Sequence, residues 1–182
     1  MQIVKFLEGK EIYLRPFKEE DLEIIHFGKN DAHVRDTLFL FKPYTVKDLR
    51  TEIEEWLSKN DTVIFTICLS ENNEAIGQTA LFRIDFVSRA AIYFIAIYNP
   101  KFWSKGYGSE TTNLVMKYAF DILNLNRIQL HVSAENEKGV KAYKKAGFKV
   151  EGTLKQAMYH NNQYFDFYVM GFLREEYYSS KE

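Results

Sequence analysis

Apolar and polar positions alternate with a period that changes several times along the chain, and each change marks an element. Residues 11–15 read as a first strand, and residues 19–28 as a helix whose first turn carries Glu19, Glu20 and Asp21, charges that complement the helix dipole. Thr45-Val46-Lys47-Asp48 resembles a capping box, after which Leu49, Ile53, Trp56 and Leu57 recur at helical spacing. That helix should bury one face and end near Asn60-Asp61. Residues 62–69, 75–84 and 89–98 are strand-like and predict an antiparallel meander, the first two joined by the polar turn Ser70-Glu71-Asn72-Asn73-Glu74. Residues 109–123 predict an amphipathic helix with Leu114, Val115, Tyr118, Ala119 and Ile122 on one face. A strand follows at 128–132, then the link Ser133-Ala134-Glu135-Asn136 and a helix at 137–146. Asn136 is well typed for its N-cap, and Gly147 supplies the left-handed position past its end. Two strands at 149–159 and 163–173 flank the turn His160-Asn161-Asn162. Residues 31–44, between two helices, show no period of their own yet hold apolar side chains that a surface loop does not need.

A meander, then strand–helix units, then a terminal hairpin predicts a single α/β (α+β) domain over residues 1–182. Its sheet should be mixed and mostly antiparallel, with helices on both faces, and not purely parallel and doubly wound. Hydrophobic residues make up 46% of the chain, which removes disorder from consideration. A net charge of −1 gives no global reason to expect nucleic acid or an anionic membrane as partner. Cys68, the only cysteine, excludes an intrachain disulfide and reads as a buried strand residue. Met1-Gln2-Ile3-Val4-Lys5-Phe6 lacks the apolar core of a leader, so a cytoplasmic protein is expected, and no metal is expected in its site.

The candidate chemistry lies in Phe102-Trp103-Ser104-Lys105-Gly106-Tyr107-Gly108-Ser109-Glu110, between a strand and a helix start. A glycine-punctuated turn there aims several backbone N–H groups one way, with the positive end of the helix dipole behind them, and so suits a phosphate or pyrophosphate. Gly106 and Gly108 let backbone approach the oxygens closely, while Ser104, Lys105 and Ser109 add two hydroxyls and a cation. The same residues also serve as a plain turn with an exposed lysine. Two successive strand–turn–helix units put two helix N-termini at one sheet edge, where a ligand crevice opens. Dinucleotide binding needs a third glycine, and Gly106-Tyr107-Gly108-Ser109-Glu110-Thr111 has none.

Trp103-Ser104-Lys105-Gly106-Tyr107-Gly108, then Asn136, then Tyr143-Lys144-Lys145-Ala146-Gly147-Phe148, resembles the GNAT N-acetyltransferase superfamily in order and spacing. Ile12-Tyr13-Leu14-Arg15-Pro16, Glu19-Glu20-Asp21-Leu22, Glu151-Gly152-Thr153-Leu154-Lys155-Gln156-Ala157 and Tyr164-Phe165-Asp166-Phe167 extend the likeness to the RimJ/RimL-type ribosomal-protein and spermidine acetyltransferase branch. The resemblance implies an acetyl-CoA-dependent acyltransferase. Ser104, Lys105, Gly106, Tyr107, Gly108 and Ser109 would hold the pyrophosphate, Ile95, Ala96 and Ile97 the pantetheine, and Asn136 either the cofactor or its own helix. Trp103 stands where the family pattern has Gln or Arg, which removes one side-chain contact. Tyr143 becomes the expected general acid toward the departing thiolate. No carboxylate occupies the central strand, where Tyr93 stands. Glu110 is explained by solvation and the helix dipole, and His131 alternates with apolar residues as a core histidine does, so a water relay or an already neutral acceptor is expected. Leu40, Phe41 and Lys42 stand where spermidine-acetylating relatives cluster acidic residues, so a peptide N-terminus is the expected acceptor, with a polyamine or other small amine as the alternative. An inactive CoA-binding regulatory module is the alternative to an enzyme, and a homodimer is a further expectation.

Overall fold

The computed structural model describes residues 3–179; Met1 and Gln2 of the N-terminal segment, and residues 180–182, lie outside the described residues. Eight strands form one sheet: β1 (Leu7–Glu8), β2 (Ile12–Arg15), β3 (Val63–Leu69), β4 (Ala75–Asp85), β5 (Ala90–Ile97), β6 (Arg127–Ser133), β7 (Lys149–His160) and β8 (Gln163–Leu173). Their order across the sheet is β1-β2-β3-β4-β5-β6-β8-β7. Every neighbouring pair is antiparallel except β5 and β6, which run parallel at the middle of the sheet. The helices are α1 (Leu22–Asn30), α2 (Ala32–Leu38), α3 (Val46–Leu57), α4 (Tyr107–Lys117), α5 (Glu137–Ala146) and α6 (Arg174–Ser179).

Strand alternation divides the core into two layers. On one face Ile67, Tyr93, Ile128, Leu130, Val132 and Met170 meet Val115 and Met116 of α4, Val140 of α5 and Tyr177 of α6. On the other, Ala96 and Tyr98 meet Leu22, Ile25, Val34, Leu49 and Ile53 from α1, α2 and α3. The expected mixed sheet with helices on both faces is the observed one. The capping box at Thr45 is present, with its hydroxyl accepting from the Asp48 amide at 3.1 Å and the Asp48 carboxylate accepting from the Thr45 amide at 2.9 Å.

Buried Asp21 ties the entry to α1 onto the sheet. Its carboxylate accepts from the Arg15 guanidinium at 2.7 and 2.8 Å, from the Thr66 hydroxyl at 2.7 Å and from the Lys18 amide at 2.8 Å. The carboxylate raises the affinity of Arg15 for its proton, so the guanidinium stays charged although buried. Gly28 lets α1 lie close against Tyr98, just past the end of β5, because a Cβ there would run into the Tyr98 side chain.

Three elements differ from the sequence reading. Residues 32–38, expected to be irregular, form α2, started by the Asp31 side chain accepting from the His33 and Val34 amides at 3.0 and 3.1 Å. Seven residues with Val34 alone buried leave too little periodicity to read. The helix expected at 109–123 begins two residues earlier, at Tyr107, and continues past Lys117 as a π-helical turn over Tyr118–Ile122. That turn swings Tyr118, Ala119 and Phe120 into the core together. β1 and α6 are short and carried no signal. Among the described residues no helix is long and apolar enough to cross a membrane.

Candidate active site

The parallel pair at the centre of the sheet holds together only briefly. β5 and β6 are in register from Ala90↔Arg127 to Ile92↔Gln129, and then diverge. A cavity of about 800 Å³ fills the notch they leave, reaching from the loop before α4 to the inner side of α2. That volume suits a sizeable organic ligand.

One wall of the notch is backbone. The Tyr98 amide donates to the Ile76 carbonyl at 2.9 Å, and the Phe94 carbonyl accepts from the Thr79 hydroxyl at 2.8 Å, so the peptide groups of Phe94, Ala96 and Tyr98 face β4. Those of Ile95 and Ile97 therefore face the gap. Ala96 gives the cavity surface only. The Ile97 carbonyl is already engaged by the Trp103 indole N–H at 2.9 Å. Trp103 thus replaces the missing Gln or Arg with a structural tie between the end of β5 and the loop, and packs toward α1–α3.

Beyond Trp103 the chain presents an unpaired row of donors. None of the amides from Ser104 to Ser109 has a partner among the described residues; Glu110 is the first, donating to the Gly106 carbonyl at 3.0 Å. Gly106 sits at φ 91°, a left-handed conformation natural to glycine, and Ser104 is held at φ 60°. A Cβ on Gly106 would meet nothing within 4 Å, and one on Gly108 only the Ile97 methyl at 3.9 Å. The approach to these amides is open. Their shape is fixed from behind by a relay in which the Tyr93 hydroxyl lies 3.0 Å from the Thr112 hydroxyl, which donates to the Gly108 carbonyl at 2.8 Å. Tyr93 is buried, and that burial pushes its phenol up, away from any role as a base. Glu110 is occupied too, accepting from the Lys10 and Glu11 amides.

Asn136 stands at the other helix start. Its Oδ1 accepts from the Gly139 amide at 2.9 Å, so it caps α5, while its amide nitrogen stays available at the cavity wall. The two roles weighed for this residue fall to opposite ends of one side chain. Tyr143, on α5, is half-buried against Tyr93 and Phe148, with ring centroids 6.4 and 6.0 Å away, and lines the cavity. Its hydroxyl has no hydrogen-bond partner among the described residues, and burial pushes its pKa up to about 12. It is a phenol kept protonated and free to donate.

Of the predicted site residues, Ile95, Ala96, Ile97, Ser104, Gly106, Tyr107, Gly108, Ser109, Asn136 and Tyr143 line this one cavity. Lys105 does not; its ammonium lies 5.7 Å over the Phe102 ring, at the rim. The far end of the cavity is formed by the segment 31–44 that the sequence marked out between two helices, together with the terminal hairpin. Phe39, just past the end of α2, packs edge-on against Phe165 and Phe167 at 5.1 Å each, and Asp36 of α2 holds His160 at 3.1 Å. Met158 and Phe94 complete that side. His131 is a correction: it is exposed on the cavity wall and is not a core histidine. Among the described residues no cluster of metal-ligating side chains is present.

Comparison with known proteins agrees with this geometry. The family described as "Acetyltransferase (GNAT) domain" matches residues 11–149. The sequence is 32% identical over 178 residues to the spermidine N(1)-acetyltransferase of Vibrio cholerae, spanning 96% of this chain and 99% of that protein. It is 34% identical over 155 residues to the spermidine N(1)-acetyltransferase of Escherichia coli K12, spanning 84% and 81%. The crystal structure of the Vibrio cholerae spermidine N-acetyltransferase in complex with CoA and spermine matches with a TM-score of 0.84 at 30% identity, over 92% of this chain and 98% of that one.

Proposed function

Because this chain belongs to the GNAT acetyltransferase family, and is an acetyl-CoA-dependent N-acetyltransferase, we propose that its acceptor is a small primary amine of the polyamine class. The relatives named for spermidine favour this acceptor over the peptide N-terminus expected from the sequence, which finds no support among them. The observation that carries the reading is one continuous cavity. It starts at the unpartnered amides of the loop before α4, passes Tyr143 in the notch between β5 and β6, and ends beneath α2. In the proposal, the amides of Ser104 to Ser109 hold the pyrophosphate at the start of α4, where the helix dipole adds to their attraction. Ile95 and the Ile97 amide pair with the pantetheine peptide groups, and the Asn136 amide nitrogen reaches the same arm.

The neutral amine attacks the thioester carbonyl carbon, a C–N bond forms, and the tetrahedral intermediate expels sulfur. Tyr143 gives its proton to the leaving thiolate and is restored by the proton shed from the new amide nitrogen. The whole machinery belongs to one catalytic domain. A homodimer is part of the proposal, resting on the exposed apolar side chains Val150, Leu154 and Met158 of β7.

A second reading has its own observation. Among the described residues, no Asp or Glu lines the cavity, and its acceptor end is walled by Val34, Leu38, Phe39, Met158 and Phe167. Such a wall suits an amine on an apolar body better than a polycation. Turnover of acetyl-CoA against spermidine, spermine, an apolar monoamine and a short peptide separates the readings. Spermidine is expected to have the highest kcat/KM. A monoamine tenfold better supports the second reading, and a peptide tenfold better overturns both.

A further inference from the structure

An amine reaches the enzyme as an ammonium and cannot attack until a proton leaves it, so the acceptor end of the cavity needs a base. On β6, Ile128, Leu130 and Val132 point into the core beneath α4 and α5. Gln129, His131 and Ser133 therefore point to the opposite face. β8 repeats this division. Met170 and Phe172 lie in the α5 core, and Phe165 and Phe167 face the Phe39 side. His131 thus stands on the acceptor side of the notch and Tyr143 on the α5 side, both lining one cavity. The imidazole is exposed to that cavity and makes no hydrogen bond to any described residue. The other titratable groups lining it are Tyr93 from β5, Tyr107 from α4, and Lys138 and Tyr143 from α5; α2, β7 and β8 contribute none, and the Asp36–His160 pair lies beyond Phe39. All four are phenols or an ammonium, and His131 is the one imidazole beside them, carrying a ring nitrogen that can accept a proton.

We propose that His131 takes the proton from the incoming ammonium. The inference rests on the acetyltransferase reading above. The neutral imidazole accepts one proton from R–NH₃⁺, leaving R–NH₂ to attack the thioester carbon. After C–S cleavage the thiolate takes the Tyr143 proton, the amide nitrogen sheds its extra proton to restore the phenol, and the imidazolium releases its proton to solvent. Acid and base sit on opposite faces of the sheet, with the acyl group passing between them.

The test uses His131→Gln and His131→Ala in the whole chain, with the amine the wild type turns over fastest. At pH 7, kcat/KM is expected to fall about 100-fold with acetyl-CoA affinity unchanged. At pH 10 the deficit should shrink below tenfold, because the amine then loses its proton in solution and needs less help. Added imidazole should restore His131→Ala at least fivefold. A deficit equal at both pH values with no imidazole rescue, or none at all, overturns the inference and leaves the acetyltransferase reading intact. A wild type that acetylates no amine overturns both.

Discussion

At the scale of single residues, chemistry here is decided by what each side chain is already doing. Glu110 and Tyr93 are polar groups near the notch, yet both are committed to holding the loop and helix in place. Tyr143 is the opposite case, a phenol with a free hydroxyl whose burial favours the protonated form up to about pH 12. A general acid must be protonated to act. The raised value therefore keeps Tyr143 competent throughout the neutral and mildly alkaline range, and removing it should cost rate at every such pH. Tyr143→Phe is expected to lower kcat about 100-fold or more while acetyl-CoA affinity stays within twofold, measured by steady-state kinetics beside calorimetry. A kcat within threefold of wild type would remove the phenol from the mechanism. The sequence alone could not separate this tyrosine from a core aromatic, since it also packs on Tyr93 and Phe148; the resemblance singled it out. His131 misled for a related reason. Its alternation with apolar strand residues was read as a core position, but it puts His131 on the face opposite Leu130 and Val132, and no sequence pattern says whether that second face is covered by a helix or opens onto a cavity.

Elements follow from local signals where those signals are strong. The capping box at Thr45, the Asn136 cap and the Gly147 stop are each where the sequence reading placed them, because each satisfies helix-end groups with side chains in the same few residues. α2 escaped notice because its stability comes from Val34 packing under α1 and α3 and from the Asp31 cap, not from a long apolar stripe. Trp103 likewise could not be read, since its hydrogen bond reaches back to the Ile97 carbonyl across the loop. The packing of α1 against Tyr98 gives a prediction at this scale. Gly28→Ala places a methyl where the Tyr98 side chain lies, forcing the two apart. We expect a loss of about 1–3 kcal/mol in urea denaturation, with acetyl-CoA affinity little changed because Gly28 does not line the cavity. A variant as stable as wild type would show that this contact is looser than described.

The whole molecule is organised around a fault in its sheet. Seven strand pairs close the structure, and the one parallel pair opens after three residues, so the notch is a consequence of topology and not of any local motif. Composition and periodicity predicted the mixed sheet, but the place where β5 leaves β6 depends on the helices that fill each face. The account therefore stands on the amides of Ser104 to Ser109 gripping the charged linker of acetyl-CoA at the edge of that notch. Gly108→Asp tests this without disturbing the fold. Its Cβ has room, with the nearest atom 3.9 Å away, and a carboxylate in the first turn of a helix is favourable to the helix itself. Calorimetric titration of acetyl-CoA into the wild type and this variant, at matched thermal stability, is the decisive measurement. Micromolar binding that weakens at least tenfold in Gly108→Asp is the predicted result, and equal affinity in the two proteins, or no binding to either, would contradict it.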